Sequence, residues 1–306
     1  MSLTSTPVQQ GGPSARPAAR RPSFSWLGVV PFLLFTVAFL VLPIFFLVIG
    51  SFQDTQGNPT LQNYVDLTTD QPANAYKNSI QLSLITAVLG GIFGFLLAVA
   101  VILGRLPRVI RSAVMTFSGV ASNFAGVPLA LAFVFTVGQL GLVTKLLADV
   151  FGYHLWRDDF FGGNFSLYSM LGLVLVYLYF QFPLMVLIVA PAIDGLRKEW
   201  REAAENMGAS SFQYWRHVAL PILLPSLLGS MILLFGNAFG AQATAYQLTS
   251  GTINIVPLVI SAQIRGDVLH NPNLGYALAM GMVAIMAVVI VIYGLLQRRS
   301  ERWLRS

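Results

Sequence analysis

The densest cluster of ionisable side chains in the 306-residue sequence is Arg197, Lys198, Glu199, Arg201, Glu202, Glu205, Arg216 and His217. Lys198 with Glu202 and Arg201 with Glu205 stand four residues apart, the spacing of ion pairs along one helix face rather than of an acid–base pair converging on a substrate. His154, His217 and His270 are scattered without metal-ligand spacing and read as surface or interfacial histidines. With no cysteine, disulfides, thiolate metal sites and thiol nucleophiles are excluded. No G-x-x-x-x-G-K-[ST] phosphate cradle occurs, and no nucleophile stands in a recognisable arrangement with a base. The expectation is a chain with no catalytic residues, no metal and no cofactor. The remaining polar candidates are neutral: Asn123, Gln181, Asn237, Gln242 and Thr244, all inside apolar runs.

Those runs set the fold class. The chain is 56% hydrophobic and 10% charged, with mean hydropathy +0.70, against about a quarter charged in a soluble domain. Six stretches reach the roughly 20 apolar residues that cross a bilayer: about 25–52, 79–104, 112–138, 168–193, 221–246 and 274–297. The expectation is an all-α, polytopic membrane protein of six transmembrane helices. The first run is too long for the apolar core of a signal peptide and has no small-residue cleavage site after it, so it reads as a retained span. Residues 1–23, rich in Pro, Ser, Ala and Arg, read as a disordered tail; 24–300 form the membrane domain and 301–306 a short C-terminal tail.

Lys and Arg orient the bundle. One side carries 14 of the 18, on the N-terminal tail, the 105–111 loop, the 194–220 segment and the C-terminus; the other side carries 4. That bias puts both termini and the 194–220 segment in the cytoplasm. No acid or base lies deep in a span, which weighs against an ion-coupled secondary carrier, because such carriers often keep ionisable groups there. An integral membrane enzyme would need a cluster of His, Asp or Glu near one face, and none is present.

The polar neutral residues carry two readings, interhelical hydrogen bonding or a wet pathway, with Asn237 and Gln242 the better pathway candidates beside their run of small residues. Gly90 with Gly94 and Gly236 with Gly240 have the spacing that lets helix backbones approach closely. Pro31, Pro43, Pro128 and Pro183 are expected to kink or end helices.

The 194–220 segment itself reads as helix, turn, helix. Leu196, Trp200, Ala203, Ala204 and Met207 form one apolar stripe, Gly208 suits a left-handed helix stop, and Ser210 or Ser211 caps a second short helix, 212–218, ended by Leu220-Pro221. Within it, Glu202-Ala203-Ala204, three residues, Gly208, nine residues, Val218, one residue and Leu220-Pro221 resembles the EAA loop of binding-protein-dependent ABC importer permeases. The departure is Val218 where the family has Ile. The resemblance implies the MetI-like type I importer fold over about residues 25–300. It also implies a coupling role for Glu202, Ala203, Ala204, Gly208, Leu220 and Pro221. Its partners would be cytoplasmic ABC ATPase subunits, a second permease subunit, identical or related, an extracytoplasmic solute-binding protein and the lipid bilayer of a prokaryotic inner membrane, with no nucleic acid. The Asn206-Met207-Gly208-Ala209 version of the turn is most similar to the spermidine/putrescine-type permeases. Outer loops with 7 acids against 4 bases, and a pathway with no fixed base, lean the same way, toward a polyamine. Sugar, phosphonate, iron or another small solute stand as alternatives, and an ion-coupled carrier is the rival mechanism.

Overall fold

A computed structural model describes residues 28–104, 106–154, 156, 166–265 and 270–305, with side chains as far as Arg298. The expected tail, 1–23, lies outside the described residues, as do Arg105, Arg157, Asp158, Asp159 and Asp267 of the charge count. All regular structure among the described residues is helical, and six helices are long and apolar enough to cross a membrane.

The chain divides into two units, up to Phe46 and from Leu47 onward. Helix α1 (Val30–Ser51), whose residues up to Phe46 belong to the first unit, begins with Pro31 in its first turn, where a missing N–H costs nothing. Residues Val37–Val41 form a π turn, closed by Leu42 N–H on the Val37 carbonyl, immediately before Pro43. The same device recurs at the other Leu-Pro pair: Trp215–Ala219 form a π turn, Leu220 N–H reaches the Trp215 carbonyl, and Pro221 follows. An i→i−5 turn widens the helix where a proline ring would otherwise strike the carbonyl four residues back. The expected helix end at Leu220-Pro221 is therefore corrected: the helix runs through, as one element from Ser211 to Gly240.

In the second unit, α2 (Gln62–Asp66) precedes α3 (Asp70–Leu103), α4 (Arg108–Ala121), α5 (Val127–Val137), α6 (Leu142–Phe151) and α7 (Met170–Asp194). Then come α8 (Lys198–Asn206), α9 (Ser211–Gly240), α10 (Ala243–Thr249), α11 (Val256–Arg265) and α12 (Pro272–Arg305). Helix α12 continues through residues 301–305, where a tail was expected.

The core is α3, α7 and α9. A Cβ on Gly90 would lie 2.7 Å from Gln181 Cβ, and one on Gly94 would lie 2.6 Å from Met185 Cβ and 2.8 Å from the Phe182 carbonyl. The Gly90/Gly94 pair thus brings α3 and α7 backbone to backbone. The second pair divides: Gly236 packs on Met286 of α12, while Gly240 has open space beside it. Pro183 and Pro191 lie inside a continuous α7, whose inward face (Leu173, Val176, Tyr177, Phe180, Met185, Val189 and Ile193) is buried.

Two expected continuous helices are broken. The 112–138 run splits at 122–126 into α4 and α5, with Gly126 at φ 75° and Pro128 in the first turn of α5, so the apolar helical stretch is Val127–Phe151 instead. Left-handed Gly126 ends one helix direction, and Pro128 favours a new start. The 221–246 run breaks after Gly240, where Ala241 is extended and α10 begins at Ala243.

Candidate functional site

The EAA-like segment is a rigid hairpin built from local rules. Helix α8 ends in a Schellman motif: Ala209 N–H donates to the Ala204 carbonyl and Gly208 N–H to the Glu205 carbonyl, both at 2.9 Å, with Gly208 at φ 79°. Ser210 then opens α9 with a capping box. Gln213 N–H donates to Ser210 Oγ at 3.3 Å, and Ser210 N–H donates to Gln213 Oε1 at 2.7 Å. Ala204 and Ala219 are buried against Tyr214, with Leu196, Ala209, Trp215 and Val218 around them. Trp215 also packs edge-on against Phe95 of α3, which joins the hairpin to the bundle core.

The two motif alanines have different jobs. Ala204 faces inward, while Glu202 and Ala203 are exposed, with Met207 and Phe212 also outward. The expected single apolar stripe is thus divided between the hairpin's own core and a free surface. Arg201 Nε meets Glu205 Oε1 at 2.9 Å as expected, whereas Lys198 and Glu202 do not pair. Leu220 is exposed and Pro221 half-buried just past the π turn.

At the base of the hairpin lies a contact that the sequence pattern does not show. Arg111 Nη2 donates to both oxygens of Asp194, at 2.8 and 2.9 Å, tying the first turn of α4 to the last residue of α7. The available signal was two opposite charges flanking spans on the same membrane face.

The five polar neutral residues separate by burial. Gln181 is fully buried; its Nε2 donates to the Leu234 carbonyl at 2.8 Å, linking α7 to α9. Thr244 is buried and its Oγ1 accepts from Gly126 N–H at 2.8 Å, tying the break between α4 and α5 to α10. The Thr244 hydroxyl and the Gln181 amide N–H are spent on packing, while Gln181 Oε1 is buried with no partner among the described residues. Asn123 is exposed and donates to the Gly119 carbonyl at 3.0 Å. Asn237 is exposed on α9, and Gln242 sits in the break after it.

That break is held open deliberately. Tyr177 O–H donates to the Ala241 carbonyl at 2.6 Å, satisfying a group that the interrupted helix leaves free. Around it, Asn78 Nδ2 donates to the Asn254 carbonyl at 2.9 Å, and Val256 N–H donates to Ser79 Oγ at 2.8 Å. Beside these ties is a cavity of about 820 Å³ walled by residues from α3, α5, α10 and α11, with Gln242 among them. Non-helical backbone at membrane depth is tolerated where it lines such a space. The cavity sits at the start of α3 and the end of α9, the hairpin at their opposite ends. With about 1.5 Å of rise per residue, the two are separated by roughly 40 Å.

The chain matches a family model described as "Binding-protein-dependent transport system inner membrane component" over residues 90–306. Among curated proteins it is similar to the probable sulfate transport system permease protein of Prototheca wickerhamii, 28% identical over 221 residues, covering 72% of this chain and 80% of that one. It is also similar to the spermidine/putrescine transport system permease protein of Haemophilus influenzae, 25% identical over 294 residues, covering 91% and 94%. Among solved structures, a chain of a bacterial ABC transporter that imports the acidic polysaccharide alginate superposes with a TM-score of 0.70 at 17% identity, covering 90% of this chain and 94% of that one. The helix order, the hairpin after α7 and the family match agree: this chain belongs to the binding-protein-dependent transport system inner membrane components, the multi-pass permease subunits of ABC importers.

Proposed function

We propose that this chain forms half of a solute path and is driven through the 194–220 hairpin by a separate ATPase. The observation that carries this reading is the hairpin itself. Its inner side is locked by Ala204, Ala219, a Schellman stop and a capping box, while Glu202 and Ala203 are left outward with little bulk. A small, stiff, exposed helix joined to α9 by one tight, fully hydrogen-bonded turn suits rigid-body transmission of a partner's closing motion to the membrane. Glu202 orients the contact, Ala203 allows close approach, and Gly208 sets the turn. ATP chemistry belongs to the partner.

Asn237, Gln242 and Tyr246 leave polar atoms on a surface that this chain does not cover, which supports a second permease, identical or related, closing the path from the other side. A solute-binding protein would deliver cargo at the cavity end. The charge bias supports cytoplasmic termini. For the solute, similarity to sulfate permeases favours a small oxyanion, and similarity to a spermidine/putrescine permease, with the acidic outer loops, favours a polyamine.

The test is ATP hydrolysis by purified complex. Turnover is expected only with the separate ATPase present, rising at least severalfold on adding loaded binding protein. Hydrolysis by this chain alone, or turnover indifferent to the binding protein, contradicts the proposal.

A further inference from the structure

Six residues with polar side chains line the cavity opposite the hairpin: Gln71, Gln242, Tyr246, Asn254, Ser261 and Arg265. Arg265 is the one formal charge among the twelve described lining residues, none of which is a carboxylate. Asp70, beside Gln71, is exposed and outside the walls. Among the described residues none of the six side chains is spent on a hydrogen bond within the protein, so their donors are available to a guest. Val127, the first residue of α5, is also in the wall, and the positive end of that helix dipole adds to the same sign.

We propose that this cavity receives a small tetrahedral oxyanion, with Arg265 as its charge partner and the neutral side chains completing its hydrogen-bond shell. This rests on the transport reading above and chooses between its two solutes. A guanidinium presents five donors in a planar fork matched to oxyanion edges, and amide and hydroxyl groups turn donors inward without adding charge. A polyamine would bring two or more ammonium groups to a wall whose described residues hold a fixed cation and no fixed anion. At about 820 Å³ the cavity also falls within the range of about 300–1,000 Å³ usual for small-molecule sites. A single modest charge among neutral donors suits a passing site better than a storage site.

The experiment uses cells or proteoliposomes carrying the whole system, with sulfate, thiosulfate and molybdate as oxyanion probes and spermidine as the cation probe. Uptake of at least one oxyanion is expected. Arg265→Gln should lower it at least tenfold, and Arg265→Lys should keep it within about threefold. Because the chain has no cysteine of its own, Arg265→Cys introduces a single thiol. Modification with a cationic methanethiosulfonate reagent should restore uptake, and a neutral reagent of similar size should not. ATP hydrolysis stimulated by the binding protein is measured in parallel. Stimulated hydrolysis with uptake of spermidine, or of none of the oxyanions, overturns the oxyanion proposal and leaves the transport reading standing. Undiminished oxyanion uptake by Arg265→Gln, or equal rescue by both reagents, overturns the role of Arg265. Loss of stimulated hydrolysis from the unmodified system overturns both readings.

Discussion

Arg111, in the first turn of α4, is tied to Asp194, the last residue of α7 and the first of the 194–220 segment, through a single guanidinium nitrogen shared by two carboxylate oxygens at 2.8 and 2.9 Å. Both side chains are about half exposed, so solvent screening holds the pair's contribution to stability to about 1 kcal/mol or less. Its value is positional: it fixes where α7 stops and the hairpin starts. Arg111→Gln and Asp194→Asn are each expected to lower solute moved per ATP at least threefold, with thermal midpoints shifted by only a few degrees. The reversed pair, Arg111→Asp with Asp194→Arg, should recover most of the loss. Single variants with unchanged stoichiometry remove this role.

Gly208→Val places a β-branched residue at φ 79°. Nothing lies within 4 Å of the added Cβ, so the penalty is backbone strain alone, about 1–2 kcal/mol. Complex should accumulate in the membrane at near-normal levels while uptake falls at least tenfold. Gly208→Asn, which tolerates the left-handed region better, should sit between the two. Equal uptake in all three would show that the turn is not part of coupling.

Glu202 is exposed and its carboxylate bonds no other described residue. Glu202→Lys should therefore change stability by no more than about 0.5 kcal/mol, yet reverse the charge offered to a docked partner. Uptake should drop while membrane abundance stays level; a parallel fall in abundance would point to a folding role instead.

Gly94→Ala meets Phe182 backbone and Met185 Cβ at under 3 Å, where overpacking costs roughly 1–3 kcal/mol. Gly119→Ala, in α4 with nothing within 4 Å, is the control and should be neutral or slightly stabilising. Thermal unfolding of the purified complex should rank Gly94→Ala below the parent and Gly119→Ala at or above it.

The helical class, the number of spans and the hairpin were legible because apolar length, capping residues and a left-handed Gly are local signals. Gly208 and Ser210 show this best: each does in the structure what its residue type favours. The breaks at Gly126 and Ala241 were not legible, since unbroken hydropathy hides an interruption whose free groups are satisfied by distant partners, Thr244 and Tyr177. Proline misled at Leu220-Pro221 because a π turn absorbed it. The polar residues of the spans could be found but not sorted. Gln181 and Thr244 turn inward and Gln242 lines a cavity, and only packing decides which. Arg265 could not be singled out from the sequence because its meaning comes from the five neutral groups lining the same cavity, drawn from four separate segments.

The decisive measurement is a crosslink at Ala203. Since the chain has no native cysteine, Ala203→Cys gives one thiol on the exposed side of α8, to be paired with single cysteines along the surface groove of the ATPase in native membranes. Efficient crosslinking at a subset of groove positions is expected, changing in yield between nucleotide-free and ATP-bound states, and blocked by a membrane-impermeant thiol reagent only when it is added from the cytoplasmic side. Labelling of that thiol from the extracytoplasmic side, or a crosslink yield no higher than that of a cysteine at exposed Leu140, would contradict coupling through this hairpin.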